Sequence, residues 1–339
     1  MPPVSYLGGA VAACVGALLA LAAAGPASEV REATPAAARV RHVVVVSVDG
    51  LTPRAIRELG QRRTPVMHRL RSHGAGTLNA RTERELTNTL PNHTGMLTGR
   101  RIAADHRGHG VTWNDDRLEP QTVQDAAGHR VRSVFTVVHA AGRRTAVFAS
   151  KPKFMLFERS WPNAVDRTVV ENDNARLVRL AQRDLRQRGR AFTFVHLALP
   201  DIVGHEHGFM SPAYLDAVAR VDGLVGRLLS TLRRDRQLRG STAVVLTSDH
   251  GGLGAGHDDP TLPSSYRVPF LVWGTGVADG ASLYRLNRDY ADPDRRRTRY
   301  SAARQPVRNG AVANLATDLL RLPAVRGSEF DVDQDLDVR

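Results

Sequence analysis

The sequence predicts an α/β fold: a doubly wound, mostly parallel central sheet with helices on both faces. Three observations carry this. Short apolar, β-branched runs recur along the chain, helical patterns separate them, and polar clusters follow directly on several of the runs. Runs without polar alternation read as strands covered on both faces. Strands that alternate with helices give the doubly wound class.

The chain has 339 residues, enough for a large buried core. From Leu7 to Ala24 it is almost continuously apolar and uncharged, and small residues including Gly25 and Ala27 follow. Residues 1–27 are therefore expected to be a secretory signal peptide. The alternative is a retained N-terminal anchor, since the run is nearly long enough to span a bilayer. Val11-Ala12-Ala13-Cys14 has the look of a lipoprotein signal, but the apolar run continues past Cys14. Membrane contact is expected only through this segment, and only if it stays uncleaved. Either way the protein is expected to be exported, as a secreted, periplasmic or envelope-associated molecule. Residues 28–40, rich in Ala, Glu and Pro, read as a linker, and 41–330 as one folded domain.

Within that domain the expected strands are Val43–Val48, Thr145–Ala149, Phe192–Leu197, Ala243–Thr247 and Pro269–Val272. The clearest helix is Tyr214–Leu232, with an apolar stripe from Leu215 through Val218, Val221 and Val225 to Leu232. Arg285–Arg304 reads as an exposed excursion, and Val312–Leu320 as a helix.

Cys14 is the only cysteine, so disulfides are excluded and any metal site must use His, Asp and Glu. Net charge is +13, and the only lysines are Lys151 and Lys153. Such a balance suits a small anionic substrate or an anionic envelope polymer, and equally a GC-rich coding sequence. No stripe of interleaved aromatic and basic residues exists, so specific nucleic-acid binding is not expected. No pattern sets an oligomeric state.

Three polar clusters fall on the carboxyl ends of strands: Asp49 after the first, Asp201 and His205 after the strand at Phe192, and Asp249 and His250 after the strand at Ala243. That edge is where open parallel sheets bind ligands. Carboxylates mixed with imidazoles suit zinc or manganese. Two such ions about 4 Å apart can clamp the attacking and leaving oxygens of a phosphoryl displacement. His257 follows through the loop Gly251–Gly256 and can fold back to the same edge. Thr89, in Thr87–Gly95, falls at the start of a helix whose first residue is expected to be Pro91 and whose end is Gly99. A helix N-terminus favours an anion there. Structural roles are expected for His93, His196 and His207, a shaping role for His109, and local ion pairs for Asp216 and Asp222. Lys151 reads equally as a residue of the site's edge or as a surface lysine.

These segments resemble the alkaline phosphatase superfamily, specifically its type I phosphodiesterase/nucleotide pyrophosphatase branch. The matching stretches are V-D-G at Val48–Gly50, T-x-P-N-H at Thr89–His93, H-G-V-x-x-N at His109–Asn114, P-D-x-x-G-H at Pro200–His205 and S-D-H-G at Ser248–Gly251. Pro306–Phe330 is similar to bacterial members. The resemblance makes residues 41–330 an alkaline-phosphatase-like hydrolase domain holding two divalent ions, zinc first and manganese second. It implies that Asp49, Thr89, Asp249 and His250 hold one ion and Asp201, His205 and His257 the other. Asn114 then contacts a phosphate oxygen, and Thr89 attacks phosphorus to form a phosphothreonine intermediate. The implied activity is a phosphodiesterase or pyrophosphatase. The alternatives are a phosphomonoesterase on the same scaffold and a non-catalytic anion-binding envelope protein. Relatives that cleave nucleotides often carry Phe after the nucleophile; here Leu90 stands there, which weakens a nucleotide as substrate.

Overall fold

A computed structural model describes residues 39–339, together with 8–10 and 12–13. Most of the expected signal or anchor, Cys14 and nearly all of the expected linker lie outside the described residues. Among the described residues no helix is long and apolar enough to cross a membrane.

The strands are β1 (His42–Val48), β2 (Ala75–Arg81), β3 (Thr145–Ala149), β4 (Thr168–Val170), β5 (Phe192–Leu197), β6 (Thr242–Thr247), β7 (Arg267–Gly274) and β8 (Ala281–Ser282). The α-helices are α1 (Pro53–Arg63), α2 (Pro65–Ser72), α3 (Thr89–Thr98), α4 (Val123–Ala127), α5 (Val134–Ala140), α6 (Met155–Ser160), α7 (Asn174–Arg188), α8 (Leu199–His207), α9 (Pro212–Arg234), α10 (Pro263–Tyr266), α11 (Leu283–Leu286) and α12 (Val312–Leu319).

The strands form one sheet in the order β4-β3-β5-β1-β6-β7-β2-β8. β1 lies between β5 and β6 and runs parallel to both. Successive side chains on a strand point to opposite faces. Val43 and Val45 accordingly enter one core with α3, α5 and α12, while Val44, Val46 and Val48 enter the other with α1, α2, α7 and α9. Burying each such valine stabilises by roughly 1.5–3 kcal/mol. A strand buried on both sides gains this at every position, which is why β1 reads as an unbroken apolar run.

Some expectations change and others gain detail. β7, the run around Pro269–Val272, pairs antiparallel with β6, so the sheet reverses direction there. With Asn88 at the N-cap position but its side chain turned to Asp258, α3 begins at Thr89, two residues before Pro91. Proline is tolerated there because first-turn amides have no partner inside the helix. Asp222 makes no local ion pair; it accepts from the Val66 and Met67 amides at 3.0 and 2.8 Å and so caps α2 from α9. The Arg285–Arg304 excursion is anchored, with Tyr290 buried. The core also runs past residue 330, taking in Leu336 and Val338.

Candidate active site

Because β5, β1 and β6 are neighbours, their carboxyl ends bring Asp49, Asp201 and Asp249 to one place. Asp49 follows β1 directly, and its amide continues the ladder to the Leu197 carbonyl at 3.0 Å. Gly50 then turns with φ 70, and its amide donates to Asp249 Oδ1 at 3.2 Å. A Cβ at Gly50 would sit 3.2 Å from the Asp201 backbone, so the close approach of the two acids requires glycine. Asp201 stands in the first turn of α8 and His205 one turn later on the same face.

The Gly251–Gly256 loop does fold back. Phe209 is its pillar: Cβ atoms at Gly204 and Gly252 would lie 2.7 and 2.3 Å from the ring, and the Phe209 amide donates to the Gly254 carbonyl at 2.7 Å. The loop delivers His257 so that its Nε2 lies 3.0 Å from His205 Nε2. The ring stacks on His250, with centroids 3.5 Å apart.

Two clusters result, Asp49–Asp249–His250 and Asp201–His205–His257; in each, the ligand atoms lie within 4.8 Å of one another. The donor chemistry fits a pair of divalent cations. Asp49 Oδ1, Asp249 Oδ2, Asp201 Oδ1 and His250 Nε2 are all buried without a hydrogen-bond partner, a costly state for groups of this kind. The imidazoles are oriented for the task. His250 Nδ1 donates to the Gly251 carbonyl at 2.8 Å and His257 Nδ1 to the Thr87 carbonyl at 2.6 Å, which leaves each Nε2 facing the cluster.

The charges tell the same story. Burial pushes the Asp249 carboxyl well above its ordinary range, and the neighbouring Asp49 charge adds to this. Burial also opposes ionisation of Asp49, but Lys151 and His196 outweigh it and hold that carboxyl well below the usual range. His250 is raised to about 9, because the Asp249 charge overcomes desolvation. His257 is lowered to about 4 by burial and by His250. Carboxylates crowded this closely call for positive charge among them.

Lys151, left open by the sequence, belongs to the site. Its Nζ lies 2.6 Å from Asp49 Oδ2 and 2.7 Å from Asp201 Oδ2, one acid of each cluster. Lys153 donates to Asn114 Oδ1 at 3.1 Å. Sequence reasoning missed Lys153, although the two lysines stand almost side by side in a chain whose other basic residues are all arginine.

Thr89 is the first residue of α3 and is buried. Its surroundings are tied to both clusters. Thr87 exchanges hydrogen bonds with His257, its hydroxyl donating to the His257 carbonyl. The Leu90 amide donates to Asn114 Oδ1 at 3.0 Å, which leaves the Asn114 amide nitrogen for another partner. His93 is buried, donates through Nδ1 to the Thr89 carbonyl at 2.7 Å and bonds the Ser47 hydroxyl through Nε2 at 2.8 Å. His196 bonds Asp49 Oδ2 at 2.9 Å through Nε2. Both brace the site rather than complete either cluster. His109 is buried and accepts from the Val111 amide at 3.1 Å; burial lowers it to about 3. His207 is exposed, its Nε2 3.6 Å from Glu206. Asp216 pairs with Arg63 across helices at 2.5 Å.

The chain is similar to known proteins in sequence and in fold. The chain is 25% identical over 272 residues to GPI ethanolamine phosphate transferase 1 of Mus musculus, covering 72% of this chain and 27% of that protein. It is 39% identical over 85 residues to the Neurospora crassa protein of the same name, covering 25% of this chain and 8% of that one. The chain thus spans about a quarter or less of the length of these relatives. Among solved structures, murine ectonucleotide pyrophosphatase/phosphodiesterase 5 superposes with a TM-score of 0.67 at 16% identity, covering 88% of this chain and 99% of that one. An inactive variant of it in complex with AMP superposes with a TM-score of 0.66. At that identity the likeness establishes the alkaline-phosphatase-like fold. The family model for type I phosphodiesterase/nucleotide pyrophosphatase matches residues 43–261, which include Asp49, Thr89, both clusters and the bracing histidines. The chain belongs to the type I phosphodiesterase/nucleotide pyrophosphatase family.

Proposed function

We propose that this protein is an exported, metal-dependent phosphoric ester hydrolase of the phosphodiesterase/pyrophosphatase type, with Thr89 as its nucleophile. The observation that carries the reading is the pair of acid–imidazole clusters, with buried unpartnered oxygens, packed against the segment that begins α3.

Asp49, Asp249 and His250 would hold one cation, with Thr89 beside it, and Asp201, His205 and His257 the other. Zinc is the ion that fits mixed carboxylate and imidazole donors best, with manganese second. Bound there, the cations supply charge that favours an ionised hydroxyl and neutralises the phosphoryl and leaving oxygens. The chain's own groups do the rest. The Thr89 oxygen attacks phosphorus, the bond to the leaving oxygen breaks, and the phosphoryl group rests on Thr89 until water releases it. The Asn114 amide nitrogen orients a phosphoryl oxygen. His196 keeps Asp49 in place, and His93 ties the first residue of α3 to Ser47 of β1.

A second reading, a phosphomonoesterase, draws on Lys151 and Lys153. The Lys153 ammonium beside Asn114, with that of Lys151 on Asp49 and Asp201, suits a terminal phosphate dianion more than the single charge of a diester. The curated relatives, named as ethanolamine phosphate transferases, place ethanolamine phosphate esters among the first substrates to try. Export rests on the apolar segment Leu7–Ala24.

Turnover of bis-p-nitrophenyl phosphate and p-nitrophenyl phosphate, with and without EDTA, tests the proposal. Faster cleavage of the diester, abolished by EDTA and restored by zinc or manganese, is expected. Undiminished turnover in EDTA would reject the metal-dependent reading, and faster cleavage of the monoester would reject the diester preference.

A further inference from the structure

A second cavity, of about 490 Å³, shares no lining residue with the candidate active site. Its walls are Arg100, Arg107, Arg130, Arg132 and Arg326, with His129 and Gly327. No carboxylate lines it. Arginine is frequent over the whole surface, so number alone decides nothing; what marks these five is that they line one cavity around a buried guanidinium. Nine other arginines pair with Asp or Glu, and among the described residues none of these five does.

The cavity is built, not incidental. Arg100 is 5% exposed and follows Gly99, the left-handed cap of α3. It donates to the Arg107 carbonyl and, at 3.4 Å, to the Arg326 carbonyl, so it ties together two loops that each bring a further arginine. Its guanidinium lies against Gly327, where a Cβ would approach Nη2 to 1.9 Å. Arg100 Nε and His129 Nε2 are buried and have no hydrogen-bond partner. The acid that acts on Arg100 is Glu329, and the Arg107 charge opposes it.

Guanidinium groups drawn together, with Glu329 near Arg100 as the acid that partly offsets them, repel one another. Their planar forks match phosphate oxygens in pairs. We propose that this cavity is a second anion site, separate from the catalytic centre, that binds a compact phosphate-bearing polyanion of diphosphate size. A carbonyl-rich helix end close by opposes an anion more weakly than several charge-assisted hydrogen bonds favour it. The inference does not depend on Thr89 being a nucleophile.

Calorimetric titration of methylenediphosphonate, which is not hydrolysed, into the full chain in EDTA tests it. Arg130→Ser/Arg132→Ser and, separately, Arg326→Ser weaken the cavity; Lys151→Met/Lys153→Met weakens the candidate active site. Arg130 and Arg326 are exposed, so unchanged melting curves verify that the arginine variants fold, and an unchanged far-ultraviolet circular dichroism spectrum at the titration temperature verifies that the lysine variant does. The expected result is binding to the parent chain, weakened about tenfold or more in both arginine variants and kept in the lysine variant. A parallel arm measures co-sedimentation with phosphatidylcholine vesicles, with and without phosphatidic acid. Arginine-dependent binding only in that arm keeps the site and identifies the anion as a lipid headgroup. Binding lost only in the lysine variant, equal binding by all variants, or no binding in either arm overturns the proposal.

Discussion

Lys151 Nζ lies 2.6 Å from Asp49 Oδ2, with Asp201 Oδ2 a further 2.7 Å contact of the same ammonium group. One lysine therefore joins an acid from each cluster. It offsets repulsion among carboxylates where cations would otherwise be needed. Lys151→Met is expected to lower the melting temperature of the metal-free protein and to enlarge the rise produced by added zinc. Melting curves in EDTA and in zinc measure both. An identical zinc shift in parent and variant would contradict this role.

His196 holds Asp49 Oδ2 at 2.9 Å and is itself held by the Ser150 amide at 3.3 Å. Partners of this kind set ligand orientation, and their loss typically costs about 10–100-fold in metal affinity. His196→Phe preserves the packing against Phe154, whose ring centroid is 4.2 Å away, and removes the hydrogen bond. Zinc competition titrations should show a loss in that range. Unaltered affinity would mean that Asp49 is positioned by the backbone alone.

Asn114 Oδ1 is occupied by the Leu90 amide and Lys153, so only its amide nitrogen can serve a substrate. Removing one preorganised donor of this kind costs about 10²–10³ in kcat. Asn114→Ala should lose that much with metal content unchanged. Lys153→Met should depress monoester turnover more than diester turnover. Equal losses on both substrates would remove the support that Lys153 gives to the phosphomonoesterase reading.

Burial raises the Asp331 carboxyl to about 8. In the unfolded chain it ionises near ~3.9. Between these values the folded chain holds a proton that the unfolded chain has released. Stability therefore falls as pH rises through the window and levels off above it. Asp331→Asn keeps an acceptor for the Leu336 amide, 2.9 Å away, and removes the ionisation. The variant should be more stable than the parent by up to about 4 kcal/mol at neutral pH, with the difference closing below about pH 4. Chemical denaturation at several pH values measures this, and an equal difference at every pH would contradict it.

Asp49, Asp201 and Asp249 were legible in the sequence because each follows an apolar strand that packs on both faces. The return of His257 was legible from its glycines, though not the Phe209 ring that needs them. β2 was not legible. Gly76 and Asn79 interrupt its apolar pattern, and its pairing with β7 slips between Thr77 and Ala80. The antiparallel course of β7 was hidden too, since a strand buried on both faces reads alike in either direction. Arg100, Arg130 and Arg326 meet only through folding, and no local pattern in an arginine-rich chain marks them.

The claim that Thr89 is the nucleophile is tested most directly by acid quenching during turnover of bis-p-nitrophenyl phosphate, followed by mass spectrometry of the tryptic peptide 85–100. One added phosphoryl group, located on Thr89 and absent from Thr89→Ala, is the expected result. Turnover by Thr89→Ala at the parent rate, or a phosphoryl group on any other residue of the parent, would contradict it.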